Sequence, residues 1–139
     1  GLVVKFFITA VMVFFSTVIN ADENNSYNQN VAIKLASTLT SDDRLVIYPI
    51  HDGVLFPIAS VAILKHLESA KKNKLALAIL GPNYDVNYDA YKGAIDNVEP
   101  GKYAGVRVIF IGDKNNFEEL TTLSEKAGIS FKAATCCSK

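Results

Sequence analysis

Val106-Arg107-Val108-Ile109-Phe110-Ile111-Gly112-Asp113 is the stretch that decides the fold. It is a β-branched and aromatic run that ends in a Gly-Asp turn and passes at once into an amphipathic segment, as a buried strand of a parallel sheet does. Leu45 to Ile50, Leu75 to Leu80 and Ile129 to Thr135 repeat its plan, and the segments between them carry helical periodicity. The expectation is one α/β domain: a three-layer α/β/α sandwich with a four-stranded, mostly parallel sheet and helices on both faces.

The helices are read from spacing. Val31, Leu35 and Leu39, flanked by Ala32 and Ala36, predict a first helix up to Thr40. Pro57 opens a second that runs to about Lys72, with Phe56, Ala59, Ile63, Leu67 and Ala70 as one stripe and Val61 and Leu64 beside it. Its first half is apolar nearly all round, which suits either a helix pressed between the sheet and a neighbouring element or a subunit interface, so a homo-oligomer is one expectation. Tyr84, Tyr88 and Tyr91 recur at helical spacing on a third helix ending near Val98. Asn116 and Glu119 have the form of a capping box for a fourth, whose stripe is Phe117, Leu120, Leu123 and Ala127 and whose stop is Gly128. Pro49 belongs at the end of its strand, because it cannot donate a ladder hydrogen bond.

The N-terminal segment is different in kind. Lys5 precedes the apolar run Phe6 to Ile19, and the chain turns polar at Asn20, with Ala21 as a small residue at the boundary. This pattern predicts residues 1–21 to be a signal peptide cut after Ala21, and hence an exported protein, periplasmic or secreted. The alternative is anchorage to the membrane by residues 2–19, although the run falls short of the roughly 20 residues a spanning helix needs. Residues 22–30 read as a flexible leader and 31–139 as the single folded domain.

Of the 139 residues, half are hydrophobic, and 14 basic residues balance 14 acidic ones, so neither disorder nor a polyanionic partner is indicated. Nucleic acid is excluded on that ground. Lys71, Lys72 and Lys74 cluster at the end of a predicted helix, where cations complement the dipole.

In an open parallel sheet, ligands bind beyond the carboxyl ends of the strands, where strand order reverses. That places His51 and Asp52, Asn83 and Asp85, Asp113, and Cys136 with Cys137 on one rim as candidate ligand-binding residues. Three chemistries are compatible with them. His51, Asp113 and Cys136 offer nitrogen, oxygen and sulfur to zinc or copper, against the ordinary roles of His51 as a loop residue and of the aspartates as turn residues and caps. Cys136 and Cys137 form a vicinal redox pair in a second reading, against free thiols on a frayed tail or a bond to another chain. Tyr84, Tyr88 and Tyr91 with Asp85 and Asp89 make an interaction surface in a third, against simple packing on the sheet with hydroxyls reaching water. His66 is assigned to the solvated face of its helix.

No P-loop, GxGxxG, GxSxG, CxxC or HExxH is present. No set of nucleophile, base and oxyanion donor is visible, which favours a non-enzymatic protein. The reading is therefore an exported binding or accessory protein that contacts a partner protein or small ligand at the carboxyl edge of its sheet. The alternative is a small thiol- or metal-dependent redox protein using His51, Asp113 and the Cys136-Cys137 pair. No cofactor is specified by these residues.

Overall fold

The computed structural model describes residues 27–41 and 44–137. The predicted signal peptide or anchor, residues 1–21, and most of the predicted leader lie outside the described residues. The elements run α1 (Gln29–Thr38), β1 (Leu45–Pro49), α2 (Phe56–Asn73), β2 (Ala76–Leu80), α3 (Tyr84–Ile95), β3 (Arg107–Ile111), α4 (Phe117–Lys126) and β4 (Ser130–Ala134). A short 3₁₀ turn, Lys114–Asn116, leads into α4. Asn28–Cys136 form one compact unit.

The four strands pair in the order β1-β2-β3-β4 and every pairing is parallel. Each crossover then moves one place in the same direction, and crossovers of one hand place their helices on one face. The packing agrees. Val46 and Tyr48, Leu77 and Ile79, Val108 and Phe110, and Phe131 and Ala133 line that face in register, in one core with the buried residues of α2, α3 and α4. At its centre Tyr91 stacks on Phe131 with ring centroids 5.5 Å apart, while Phe110 lies 5.7 Å from Tyr91 and meets the edge of Phe117 at 6.4 Å. The opposite face carries Ala76, Ala78, Leu80, Ile109 and Ile111, all buried, and α1 packs there on β2 and β3. The expected sandwich is thus present, with three helices on one side and α1 on the other among the described residues.

Local departures from the predicted elements have local causes. Asn28 caps α1, its side chain accepting the Val31 N–H at 3.1 Å, so Gln29 and Asn30 are helical instead of leader. The buried residues of α1 are Ala32 and Ala36, while Val31 is exposed. The helix turns its small side chains inward, to the sheet face that carries Ala76 and Ala78. Helix α3 stops at Ile95, short of Val98. Asn116 starts α4 but makes no side-chain cap bond, because the 3₁₀ turn already runs into the helix; Asp113 caps that turn, accepting the Asn115 N–H at 2.9 Å. His66 is half-buried rather than solvated, its ring 5.0 Å from that of Tyr48.

Candidate functional site

Sequential strand order has a direct consequence for the rim. Among the described residues the order β1-β2-β3-β4 has no point of reversal, so they form no crevice of the kind expected between diverging connections. The strand ends are instead tied together pair by pair. Ile50 N–H donates to Leu80 O at 2.7 Å and Gly112 N–H to Ala134 O at 3.1 Å. Gly81 is required beside the first tie, since a Cβ there would come within 2.4 Å of Ile50 O. Between β2 and β3 the tie is a side chain. Asn87, fully buried on α3, donates from Nδ2 to Gly81 O at 3.0 Å and to Ile111 O at 3.1 Å. Its Oδ1 takes no hydrogen bond among the described residues and faces Gly81. Sequence reasoning passed over Asn87; its signal is a polar residue one turn past the cap Asn83, on the face that Ala90, Tyr91 and Ala94 show to be buried.

The predicted site residues fall into separate places. His51 and Asp52 are exposed in the turn after β1, at one edge of the sheet. Asn83 caps α3, accepting the Val86 N–H at 3.2 Å, and Asp85 is exposed in the first turn of that helix, where a carboxylate complements the dipole. Asp113 is the cap described above. Cys136 is buried beyond β4, at the other edge. Three inter-strand spacings, about 14 Å, separate the exits of β1 and β4. His51, Asp113 and Cys136 are accordingly not gathered as a ligand set, and no group of three His, Cys, Asp or Glu side chains able to hold a metal occurs among the described residues. The aspartates have the cap and turn roles that their ordinary reading assigned.

The tyrosines do not form an open surface either. Tyr91 is in the core, its hydroxyl 2.7 Å from Ser124 Oγ, and burial raises its pKa strongly. Tyr88 is half-buried and donates to Glu119 Oε1 at 2.6 Å, while Lys92 Nζ lies 3.3 Å from Glu119 Oε2, so α3 is clipped to α4 at the surface. The Tyr88 hydroxyl and the Lys92 ammonium hold the Glu119 carboxyl below its ordinary pKa. The Tyr84 hydroxyl donates to Cys136 O and accepts the Cys136 N–H at 3.1 Å. Both cysteines are disulfide-bonded, and the chain has two, so the bond joins neighbours.

What the molecule does present is apolar surface at the start of α2. Leu55 is 66% exposed, Phe56 45%, Ile58 63% and Val61 54%. Phe56 belonged to the predicted buried stripe; the rest of that stripe, Ala59, Ile63, Leu67 and Ala70, is buried as expected. Phe56 stays partly outside, in the first turn that Pro57 opens. Helix α3 covers one flank of α2, with Ser60 Oγ donating to Ala90 O at 2.7 Å. Strand β1, beneath the other flank, is the edge of the sheet. Arg44 O and Ile50 N–H both point to β2, so the alternate residue Pro49 turns its nitrogen, which has no hydrogen, to the open edge.

No family model, no curated protein and no solved structure matches this chain.

Proposed function

We propose that the protein is an exported, non-enzymatic binding protein that docks a partner protein at the carboxyl edge of its sheet, on the apolar start of α2. The observation that carries this reading is the exposure of four large apolar side chains, Leu55, Phe56, Ile58 and Val61, within seven residues of a helix whose inner face is fully used in the core. Contiguous apolar surface of this kind marks an interaction site more often than scattered single residues do. The strand ends are tied by backbone bonds and Asn87, which favours a surface contact over a ligand held in a crevice.

The outward face also indicates the partner's chemistry. Along α2, Ile58 and Val61 are followed on the same side by Lys65, Glu68 and Lys72, all exposed, and Glu68 pairs with Lys102 at 3.7 Å. With Glu68 so paired, the two lysines suit a partner that offers an apolar segment flanked by carboxylates. Export rests on Lys5, the apolar run Phe6 to Ile19 and the small residue Ala21; among the described residues no helix is long and apolar enough to cross a membrane.

A photo-crosslinking residue placed at Val61 in the native host tests the docking surface. The expected result is a discrete adduct that is lost in Leu55→Ser/Ile58→Ser and reduced in Lys65→Glu, with an unchanged melting temperature. Crosslinking from Val61 no greater than from Lys132 on the opposite edge of the sheet would sink the proposal. An adduct of twice the protein's mass would instead identify a second copy as the partner. Export is checked by intact mass from the same cells: a species beginning at Asp22 is expected, and one retaining residues 1–21 would indicate anchorage.

A further inference from the structure

We infer that Cys136 and Cys137 form a redox latch, closed as a vicinal disulfide that fastens the exit of β4 to the start of α3 through Tyr84, and opened by a dithiol reductant. The latch is independent of the docking surface on α2. Its geometry is built on one hydroxyl. Tyr84 satisfies both polar backbone groups of Cys136, accepting from its N–H at 3.1 Å and donating to its carbonyl. That carbonyl belongs to the peptide unit enclosed in the disulfide ring, so the ring and the tyrosine hold the same bond. Cys137 has φ +70°, a left-handed conformation that residues other than glycine adopt uncommonly and that the ring helps to impose. Thr135 Oγ1 donates to Gly112 O at 2.7 Å, which anchors the residue just before the latch to the end of β3.

The two sulfurs are unequally placed. Cys136 is buried and Cys137 half-buried, so an incoming thiolate meets Cys137 first. It bonds to Cys137 Sγ, the S–S bond breaks, and its electron pair leaves on Cys136 Sγ, which takes a proton. The reductant's second thiol, deprotonated, then attacks the mixed disulfide, releasing Cys137 as a thiol; the reductant ends as its own cyclic disulfide and both cysteines end reduced. With the ring open, the 136–137 peptide recovers its rotations and Tyr84 loses a fixed partner.

Linkage makes this measurable. If the Tyr84 bonds are stronger with the ring closed, removing the hydroxyl must favour the open form by the same factor. For net hydrogen bonds of ordinary strength that factor is about tenfold. The full chain is equilibrated in mixtures of reduced and oxidised dithiothreitol, trapped by alkylation and resolved by intact mass, with hydrogen exchange followed over residues 84–88 and 133–137. Wild type is expected to lose two hydrogens intramolecularly on oxidation. Tyr84→Phe is expected to be half-reduced at a reduced-to-oxidised ratio about tenfold lower. Exchange at Cys136 is expected to be about tenfold faster in reduced wild type, and in oxidised Tyr84→Phe, than in oxidised wild type. An unchanged ratio in Tyr84→Phe overturns the latch, as do a disulfide-linked dimer or two thiols that alkylate without reductant. Cys136→Ser/Cys137→Ser supplies a check free of redox chemistry: protection at residue 136 equal to that of oxidised wild type also overturns it.

Discussion

The two faces of the sheet are built on opposite rules. On the side of α2, α3 and α4 the strands offer large side chains, with Phe110 and Phe131 meeting Tyr91. On the side of α1 the middle of the sheet offers Ala76 and Ala78 of β2, with Leu80, Ile109 and Ile111 around them, and the helix turns Ala32 and Ala36 inward. The first face has bulky groups at its centre and suffers there from what is removed; at β2 the other face has small groups and suffers there from what is added. The same chemistry, apolar burial, therefore has opposite mutational signatures a strand's thickness apart.

The largest effect is expected from Phe110→Ala. It empties the centre of the aromatic cluster and should cost about 3–5 kcal/mol in denaturant unfolding; a loss below about 1 kcal/mol would mean that the cluster repacks without that ring. Ala78→Leu attacks the other face by overfilling, with an expected loss of about 1–3 kcal/mol. Should Ala78→Leu be neutral, α1 is not held at close range and the contrast between the faces fails.

Alkali should sharpen the contrast, because the buried tyrosines lie on the helix side. Burial and the Glu68 carboxylate push Tyr103 up to about 12 from an ordinary 10.0, and burial raises Tyr91 as well. Between those two values an unfolded chain releases phenolic protons that the folded chain retains. Stability is thus unaffected by these groups below pH 10 and falls as pH rises through the window. The tyrosinate absorbance should rise in step with unfolding; ionisation of all tyrosines ahead of unfolding would show that the cluster is not sealed.

Lys74→Gly touches neither face and gives the smallest change. Lys74 ends α2 at φ 56° and ψ 50°. Glycine takes that conformation freely, so a gain of about 0.5–1 kcal/mol is expected in thermal unfolding. A loss would show that the lysine side chain contributes something its backbone does not.

The strands were legible because each is a short uninterrupted apolar run between turn residues, and their bounds move by one or two positions. The inward stripe of α2 was legible too. The facing of α1 was not: a pattern weighted by size selects Val31 and Leu35, whereas the residues buried against the sheet, whose strands are distant in sequence, are Ala32 and Ala36. Strand order is equally absent from local pattern, and with it went the expected crevice and the grouping of His51 with Cys136. Asp113 and Asn83 were placed at the right turns, where they prove to be caps. Tyr84 was singled out for its spacing, but its partner Cys136 lies beyond two further elements, out of reach of any helical periodicity.

Strand order also bears on how the molecule is made. Leu45 lies opposite Ala76, Ala76 opposite Arg107 and Arg107 opposite Ser130, so every new pairing reaches back about thirty residues or fewer and always to the strand just completed. No strand has to wait for a later one to be inserted beside an earlier neighbour. A chain delivered from its N-terminus, by a ribosome or through a translocation pore, can therefore add one βα unit at a time to a growing edge, with Cys136 arriving after Tyr84, the side chain that receives it.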